Sequence, residues 1–175
     1  PQIDPEKCIE CHRCVQGCPE NHVKENHEPR QCYAAWQKDR KERKYSASGG
    51  IAFGFYKRWI QNAGIVYGAA FNEKGILTQQ KAETLEEIKK FRGSKYAQSH
   101  TGFVYSDIGK ELKKGEKVLF IGTPCQIAGL KAYLGKASDA LVTIDLICHG
   151  TPPMSYLEEY IKEIAGAEKV DRVSF

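Results

Sequence analysis

The sequence predicts an α/β protein, with a mixed sheet built around a parallel βαβ core and a small cysteine-rich segment in front of it. The first observation is a strand–helix–strand pattern, in which apolar runs at 118–121 and 141–147 flank a helical stretch at 127–134. Such a unit makes its two strands parallel and brings their carboxyl ends to one edge of the sheet. The second observation is a run of four cysteines near the N terminus.

These N-terminal cysteines follow the spacing Cys8-x2-Cys11-x2-Cys14-x3-Cys18, with a proline directly after the last. This is the bacterial ferredoxin run for a [4Fe–4S] cluster, and in two-cluster ferredoxins its fourth cysteine ligates the other cluster. Structural zinc sites use two separated Cys/His pairs, so zinc is the weaker alternative. We expect Cys8, Cys11 and Cys14 to hold one cluster and Cys18 to serve another, completed by a second motif upstream.

The middle of the chain carries a local signal for each element. Small residues at Ser46–Gly50 precede a helical pattern, and residues 64–71 and 76–81 form a predicted hairpin around a turn at 72–75. Thr84 and Glu87 make a capping box before a short helix. The residues expected to face inward from these two helices are Ala52, Phe55, Tyr56, Trp59, Ile60, Leu85, Ile88 and Phe91. A further helix with Val104, Ile108 and Leu112 ends near Gly115.

Three stretches near the ends of the chain give weaker signals. Residues 32–36 are β-like and include Cys32, which is more consistent with a structural thiol than with a ligand. Thr151 and two prolines open a last helix, and residues 170–175 begin another strand. The residues expected to face inward from that helix are Leu157, Tyr160, Ile161 and Ile164.

Each strand of the βαβ unit ends in a cysteine followed by a polar residue, Cys125-Gln126 and Cys148-His149. Open α/β sheets bind ligands at the carboxyl ends of their strands, so two thiols there suggest a metal or redox site. The alternative is a pair of buried structural cysteines, because free cysteine is among the most buried residue types.

Composition narrows the functional class. The net charge of +4 over 175 residues is too mild to favour nucleic acid, and the basic run at 38–44 is typical of a solvated connector. No apolar run approaches the roughly 20 residues that span a bilayer. Seven cysteines without an export signal indicate a reducing, cytoplasmic setting and metal binding rather than disulfides. We expect an iron–sulfur segment at 1–30, a connector at 31–45 and an α/β domain at 46–175 that is truncated at its C terminus.

Four motifs in this order resemble one known family. They are Ser48-Gly49-Gly50, Gly93-Ser94-Lys95-Tyr96-x-x-Ser99, Gly122-Thr123-Pro124-Cys125-Gln126 and Asp145-x-x-Cys148-His149-Gly150, all behind the ferredoxin run. Together they resemble the coenzyme F420 hydrogenase/dehydrogenase beta-subunit family, from about Cys8 to Phe175. Family members usually carry two tandem ferredoxin motifs and further cysteines beyond the region of Phe175, whereas this sequence has one motif.

The resemblance implies an iron–sulfur flavoprotein that passes electrons between [4Fe–4S] clusters, a flavin and a soluble redox partner. It implies FAD in preference to FMN, held by Ser48, Gly49, Gly50, Ser94, Lys95, Tyr96, Ser99, Gly122, Thr123, Pro124, Gln126 and His149. It also implies that Cys125 and Cys148 are ligands of a further cluster. The implied partners are a ferredoxin or another redox protein or subunit and a small-molecule redox substrate; the mild net charge predicts no nucleic-acid partner.

Two other functions remain open on the sequence. The chain could be a non-catalytic electron-relay subunit of a larger complex, in which no flavin is bound. A zinc-stabilised binding module is a third alternative. Flavin content separates the first two functions, and the identity of the bound metal separates both from the third.

Overall fold

The computed structural model of the chain describes residues 4–18, 21, 28–166 and 173. Its helices are α1 (Arg13–Gln16), α2 (Arg40–Lys44), α3 (Ile51–Gln61), α4 (Val104–Lys113), α5 (Pro124–Leu134) and α6 (Met154–Ala165), with a 3₁₀ helix at Glu87–Phe91. Its strands are β1 (Ile65–Phe71), β2 (Leu77–Ala82), β3 (Val118–Gly122) and β4 (Leu141–Asp145). The strand expected at 170–175 lies outside the described residues apart from Val173.

The strands form one mixed sheet in the order β2-β1-β3-β4. β1 and β2 are the antiparallel arms of a hairpin, while β1, β3 and β4 run parallel. The hairpin turn is held by Asn72, whose side chain accepts hydrogen bonds from the N–H groups of Lys74 and Ile76 at 2.9 and 3.0 Å. The predictions of a mixed sheet, a hairpin and a parallel βαβ unit are therefore confirmed.

Helices cover both faces of the sheet, because alternate residues of each strand point to opposite sides. The core on one side packs beneath α3 and the 3₁₀ helix and contains Phe53, Tyr56, Val66, Ala70, Ala82, Ile88, Phe91, Leu119 and Ile121. The core on the other side packs beneath α4 and α5 and contains Ile65, Tyr67, Val104, Ile108, Val118, Phe120, Ile127 and Leu130. Parallel strands buried on both faces read as continuous apolar runs, which is the pattern of β3.

Several expected core residues are exposed. Phe55 points to solvent, since Phe53 and Tyr56 face the sheet and Phe55 lies about 200° round the helix from Phe53. Leu85 precedes the 3₁₀ helix and is also exposed.

In α6, Met154 and Leu157 pack against Leu77 and Ala97, so this helix reaches the core through its N-terminal turns. Tyr160 and Ile164, which lie farther along α6, are exposed, and the expectation that they face inward is wrong.

The stretch at 32–36 forms no strand, because it packs elsewhere. The N–H of Gln37 donates to the carbonyl of Gly49 at 2.8 Å, so this stretch crosses the turn that leads into α3. A Cβ at Gly49 would lie 2.6 Å from the carbonyl oxygen of Ala35. The connector is thus fastened to the α/β domain, whereas the described residues between 4 and 36 contribute no buried side chain.

Gly68 on β1 offers a test of this packing. A Cβ there would overlap the hydroxyl of Tyr56 and lie 3.0 Å from the ring of Phe91. We expect Gly68→Ala to lower the free energy of unfolding by about 1–3 kcal/mol, the usual cost of overpacking.

The matched control is Gly109→Ala in α4, where the new methyl would meet Leu134 at 3.5 Å, an ordinary contact. Alanine is the better helix former by about 0.5–1 kcal/mol, so this variant should be more stable than the parent. Denaturant unfolding of both variants measures the difference. Equal stabilities would contradict the packing described for β1.

Candidate functional site at the carboxyl edge of the sheet

Cys125 and Cys148 lie at the same edge of the sheet. The last paired residues of β3 and β4 are Gly122 and Asp145, and each cysteine follows its strand end by three residues. The carbonyl of Gly122 accepts from the N–H of Leu146 at 2.9 Å, which extends the contact between the chains beyond the strands. The structure thus brings both thiols to the carboxyl edge, as the strand pattern predicts.

Neither of these thiols is buried. Cys125 is exposed in the first turn of α5, and Cys148 is half-buried in the loop after β4. The sulfur of Cys125 lies 3.2 Å from the hydroxyl of Thr123, and the sulfur of Cys148 accepts from the N–H of Gly150 at 3.4 Å. This exposure disfavours the alternative of buried structural cysteines and leaves both sulfurs accessible to a ligand.

The side chain of Gln126 fixes the start of α5. Its carbonyl oxygen accepts from the N–H of Thr123 at 3.2 Å and from the amide of Gln79 at 3.1 Å. Its amide nitrogen donates to the carbonyl and hydroxyl oxygens of Ser99 at 3.1 and 2.9 Å. All four hydrogen-bonding positions of the amide are therefore occupied by the protein. Gln126 is predicted as a cofactor contact, and in the structure its side chain holds three segments together.

The loop Gly93–Ser99 is braced at its C-terminal end. His100 pairs with β2, since Gln79 N–H donates to its carbonyl at 2.8 Å and its own N–H donates to the carbonyl of Leu77 at 3.0 Å. Gln98 N–H donates to the carbonyl of Pro152 at 3.1 Å. These bonds hold Ser99 next to Gln126 and tie the loop to the segment that follows Cys148.

Arg92 connects the other end of this loop to the turn before α3. Its guanidinium lies 4.0 Å from the ring centroid of Phe53 and 5.9 Å from that of Tyr45, and it forms an ion pair with Glu42. Because Phe53 is in the first turn of α3, Arg92 places the loop beside the Ser46–Gly50 turn. The loop therefore spans the edge of the sheet from the start of α3 to the start of α5.

Lys95 is turned towards the protein. Its ammonium donates to the carbonyls of Arg92 at 2.9 Å and Lys90 at 3.3 Å, at the end of the 3₁₀ helix. Burial lowers the pKa of Lys95 to about 8, because the charged form is poorly hydrated there. The predicted role as a point charge for a phosphate thus competes with an internal capping role.

The predicted flavin residues divide into groups. Ser99, Thr123 and Gln126 meet through hydrogen bonds, and Ser94 and Tyr96 lie exposed on the loop that carries Ser99. Gly122 and Pro124 flank Thr123, and His149 follows Cys148 at the end of β4. Ser48, Gly49 and Gly50 lie in the turn before α3. Arg92, which precedes the Gly93–Ser99 loop, links that loop to α3 by packing on the ring of Phe53.

The turn before α3 has the backbone form of a donor site. Ser48 and Gly50 have positive φ angles of 50° and 71°, and Gly50 begins the helix. Among the described residues, the N–H groups of Ile51, Ala52 and Phe53 have no hydrogen-bond acceptor. By contrast, α5 starts with Pro124, which has no N–H to donate. The α3 end of the edge therefore suits an anionic group better than the α5 end does.

Three residues that support the candidate site belong to no motif, and the sequence analysis did not predict them. Gln79 is buried and supports Gln126, and its place between Leu77 and Lys81 in an alternating strand is the signal that could have indicated it. Tyr105 donates to the carbonyl of Gln126 at 2.7 Å. Burial, and then the negative charge of a Cys125 thiolate, raise the pKa of Tyr105 to about 12. Arg92 is the third, and only the contacts of its guanidinium identify it.

The N-terminal cysteine run has an unusual backbone. Glu10 and His12, which lie between the cysteines, have φ angles of 52° and 55°, a region that residues with side chains rarely occupy. Within the described part of the chain, the N–H groups of residues 8–14 have no hydrogen-bond acceptor. Backbone concavities with alternating handedness and free N–H groups are typical of iron–sulfur sites, so this segment fits a [4Fe–4S] cluster in both donor type and backbone form.

The cysteine sulfurs are not assembled around a centre in the part of the chain that the structure describes. No three Cys, His, Asp or Glu side chains there lie close enough to hold a metal ion. Cys8, Cys11 and Cys14 are exposed and Cys18 is half-buried. All four cysteines of the run lie in the described residues. Their role as ligands remains a prediction, as does that of Cys125 and Cys148.

A cleft lies at the amino edge of the sheet, opposite the edge that carries Cys125 and Cys148. It has a volume of about 350 Å³ and is lined by Ala63, Gly64, Ile65, Lys81, Glu83, Glu111, Lys114 and Glu116. Its charged side chains pair with one another, as Lys81 does with Glu111 at 2.9 Å and with Glu83 at 3.1 Å. This cleft is separate from the residues predicted to bind cofactors.

Comparisons with known proteins give two family matches. Residues 1–57 match the 4Fe-4S dicluster domain, and residues 115–175 match the C terminus of the coenzyme F420 hydrogenase/dehydrogenase beta subunit. The first match extends past the boundary expected at residue 30 and across the connector. It includes five cysteines, whereas two clusters with four thiolates each need eight, so residues 1–57 supply at most one complete ligand set.

A solved structure shares the fold. A chain of the F420-reducing [NiFe] hydrogenase complex from Methanosarcina barkeri is 20% identical with a TM-score of 0.57, over 76% of this chain and 49% of that chain. This chain thus spans about half the length of that one, and the likeness establishes the fold. No curated protein matches the chain. No helix in the described residues is both long and apolar enough to cross a bilayer.

Replacing Gln126 tests the network that it forms. We expect Gln126→Leu to lower the free energy of unfolding by about 2–4 kcal/mol, because the groups of Gln79 and Ser99 that it bonds would each lose a partner. Gln98→Leu, an exposed change on the same loop, should cost less than about 0.5 kcal/mol. Chemical denaturation of both variants gives the comparison. A Gln126→Leu protein as stable as the control would mean that the network does not hold the edge together.

The pKa of Lys95 predicts a pH dependence. In the unfolded chain this lysine has its ordinary pKa of 10.5, whereas the folded protein releases the proton near pH 8. The unfolded state therefore binds more protons between these values, and this group's contribution to stability rises as the pH increases from about 8 to about 10.5. Lys95→Met lacks this group, so the unfolding free energy of the parent relative to that of the variant should increase over this pH range, as measured by denaturant unfolding at several pH values.

Acetylation measured by mass spectrometry gives a direct check on the same lysine. The reaction rate of Lys95 should titrate near pH 8, because burial lowers the pKa of its ammonium, and exposed Lys74 serves as the control. Parallel profiles for the two lysines would contradict the burial of the Lys95 ammonium.

Proposed function

Because the chain belongs to the coenzyme F420 hydrogenase/dehydrogenase beta-subunit family, we propose that it is the iron–sulfur flavoprotein part of an oxidoreductase. In this proposal the N-terminal cysteine run relays single electrons, and a flavin at the carboxyl edge of the sheet exchanges them with a redox partner or a small substrate. The observation that carries the proposal is the ferredoxin spacing of Cys8, Cys11, Cys14 and Cys18 on a backbone with positive φ angles and free N–H groups.

The iron–sulfur assignment rests on donor chemistry. Thiolates two residues apart suit one face of a cubane, and the free N–H groups of residues 8–14 would donate to cluster and thiolate sulfurs. Hydrogen bonds of this kind are one of the means by which a protein sets a cluster potential. Cys8, Cys11 and Cys14 would hold one cluster, and Cys18 would serve a second.

The flavin assignment rests on the loop that spans the carboxyl edge. FAD carries a pyrophosphate and a planar ring, so it needs backbone donors at one end and a flat contact at the other. The unpaired N–H groups at the start of α3 would meet the pyrophosphate, with Arg92 nearby, and exposed Tyr96 would face the ring. When bound, a flavin supplies the conversion between one-electron and two-electron chemistry.

A further cluster at Cys125 and Cys148 would complete the path. Both thiols lie at the carboxyl ends of neighbouring strands, next to the segment fixed by Gln126. Gln126 and Tyr105 would act by holding the first turn of α5, and with it Cys125, in a fixed place. Ligands in addition to these two cysteines are needed for a cubane.

The second candidate is a non-catalytic relay without a flavin. Two observations favour it, because Gln126 has all its hydrogen-bonding positions filled and Lys95 is engaged with backbone carbonyls. Both residues were expected to contact the flavin. Measured flavin content separates this relay from the flavoprotein, since the iron–sulfur segment is common to both.

Cysteine variants test the cluster assignment. After anaerobic reconstitution, we expect Cys11→Ser to lose the cluster held by the N-terminal run, because one of its three ligands is removed. Cys18→Ser should hold as much cluster on Cys8, Cys11 and Cys14 as the parent does, and Cys32→Ser, an exposed control outside the run, should match the parent. Iron, sulfide and the absorption near 400 nm measure the outcome. Equal loss in Cys11→Ser and Cys18→Ser would show that all four cysteines ligate one cluster.

A further inference from the structure

A basic and aromatic surface surrounds α2, in the connector between the cysteine run and the sheet. We call it the α2 surface and define it by Tyr33, Trp36, Lys38, Arg40, Lys41, Lys44 and Tyr45, all of which are exposed. The three aromatic rings are 78%, 60% and 64% exposed in chain order. A solvent-exposed connector with no binding role rarely carries several large exposed rings next to several cations.

The cations of this surface form no ion pairs within the described part of the chain. Two acidic residues lie in the same run, but the carboxylate of Asp39 caps α2 by accepting from the N–H groups of Lys41 and Glu42 at 2.8 and 3.3 Å. Glu42 is half-buried and forms an ion pair with Arg92. Among the described residues, Lys38, Arg40, Lys41 and Lys44 have no acidic partner. Four cations therefore face solvent from one short segment.

The α2 surface is fastened to the sheet domain. The side chain of Gln37 donates to the carbonyl of Gly50 at 3.3 Å, and its N–H donates to the carbonyl of Gly49 at 2.8 Å. The Arg92 guanidinium lies beside the ring of Tyr45 and pairs with Glu42 of α2. The surface thus has a fixed place beside the start of α3, and in the chain it lies between the cysteine run and α3.

We propose that the α2 surface is the docking site for a small, acidic electron-carrier protein. This inference rests on the proposed electron-transfer function and adds the place and the chemistry of the partner. A cluster of cations that form no ion pairs attracts a negatively charged protein over about a Debye length and raises its rate of association. The exposed rings then supply the apolar contact that an interface needs at its centre. Weak and rapidly reversible redox complexes bury little area, which suits a surface of this small size.

The small extent of the positive charge favours a compact acidic protein over nucleic acid as the occupant. Nucleic-acid sites carry a cationic track long enough to follow several phosphates, with rings placed for successive bases. Here the cations are confined to residues 38–44, and the chain as a whole has a net charge of only +4. Single-stranded DNA therefore serves as the competing ligand in the test.

The experiment measures association of the cluster-loaded protein with a purified, plant-type [2Fe–2S] ferredoxin of net negative charge, by stopped-flow at several salt concentrations. The test variant carries Lys38→Gln, Arg40→Gln, Lys41→Gln and Lys44→Gln. The control removes the same charge from exposed lysines elsewhere, through Lys74→Gln, Lys113→Gln, Lys131→Gln and Lys136→Gln. We expect the test variant to associate about tenfold or more slowly at low salt, with a weaker salt dependence, and the control to stay within about twofold of the parent.

A second variant, Tyr33→Ser, should raise the dissociation rate with little change in the association rate, since it removes a contact without removing charge. Equal slowing in the test and control variants would overturn the proposal, because it would reflect net charge alone. A parent that binds a 20-nucleotide single-stranded DNA more tightly than the ferredoxin would also overturn it. Reduction of benzyl viologen and cluster content, measured on the same samples, report on the proposed function independently of docking.

Discussion

The arrangement at the carboxyl edge depends on one buried amide, the side chain of Gln126. It joins the start of α5 to β2 through Gln79 and to the loop after the 3₁₀ helix through Ser99. A buried polar group is costly unless every donor and acceptor is satisfied, so a fully bonded amide fixes its neighbours in one arrangement. Because Cys125 precedes Gln126 in the same turn of α5, that arrangement also sets the place of the thiol.

The two parts of the chain are stabilised in different ways. The sheet domain has an apolar core on each face, and its edge elements are tied down by hydrogen bonds. The described residues between 4 and 36 bury no side chain, and their strained positions at Glu10 and His12 have no apolar packing to compensate them. In the proposed function, metal–thiolate bonds would stabilise this segment, since cluster binding and local folding are coupled. The connector at 31–45 is held to the sheet domain by its contacts with Gly49, Gly50 and Arg92.

The sequence was sufficient for the elements whose signals are local or periodic. The βαβ unit and the hairpin follow from apolar runs and turn residues, and both strand-end cysteines are at the predicted edge. The inward faces of α3 and α6 were partly wrong, because a helix with apolar residues on two sides does not indicate which side meets the sheet. Phe55 and Tyr160 are examples.

The supporting residues of the site could not be predicted for a different reason. Gln79, Arg92 and Tyr105 act through partners that lie 47, 50 and 21 residues away in the chain. No local pattern encodes such contacts. The internal hydrogen bonds of Gln126 and Lys95 were not predicted on the same ground, since a motif identifies a residue but does not say whether a ligand or the protein itself takes its hydrogen bonds.

The central claim is that this chain carries electrons through iron–sulfur clusters. Electron paramagnetic resonance of the anaerobically purified protein, recorded during stepwise reduction with dithionite, tests it most directly. The account predicts a signal of a reduced [4Fe–4S] cluster that grows with added reductant and matches the measured iron and sulfide. A protein that contains zinc at its cysteines, with no iron and no such signal at any stage of reduction, would contradict it.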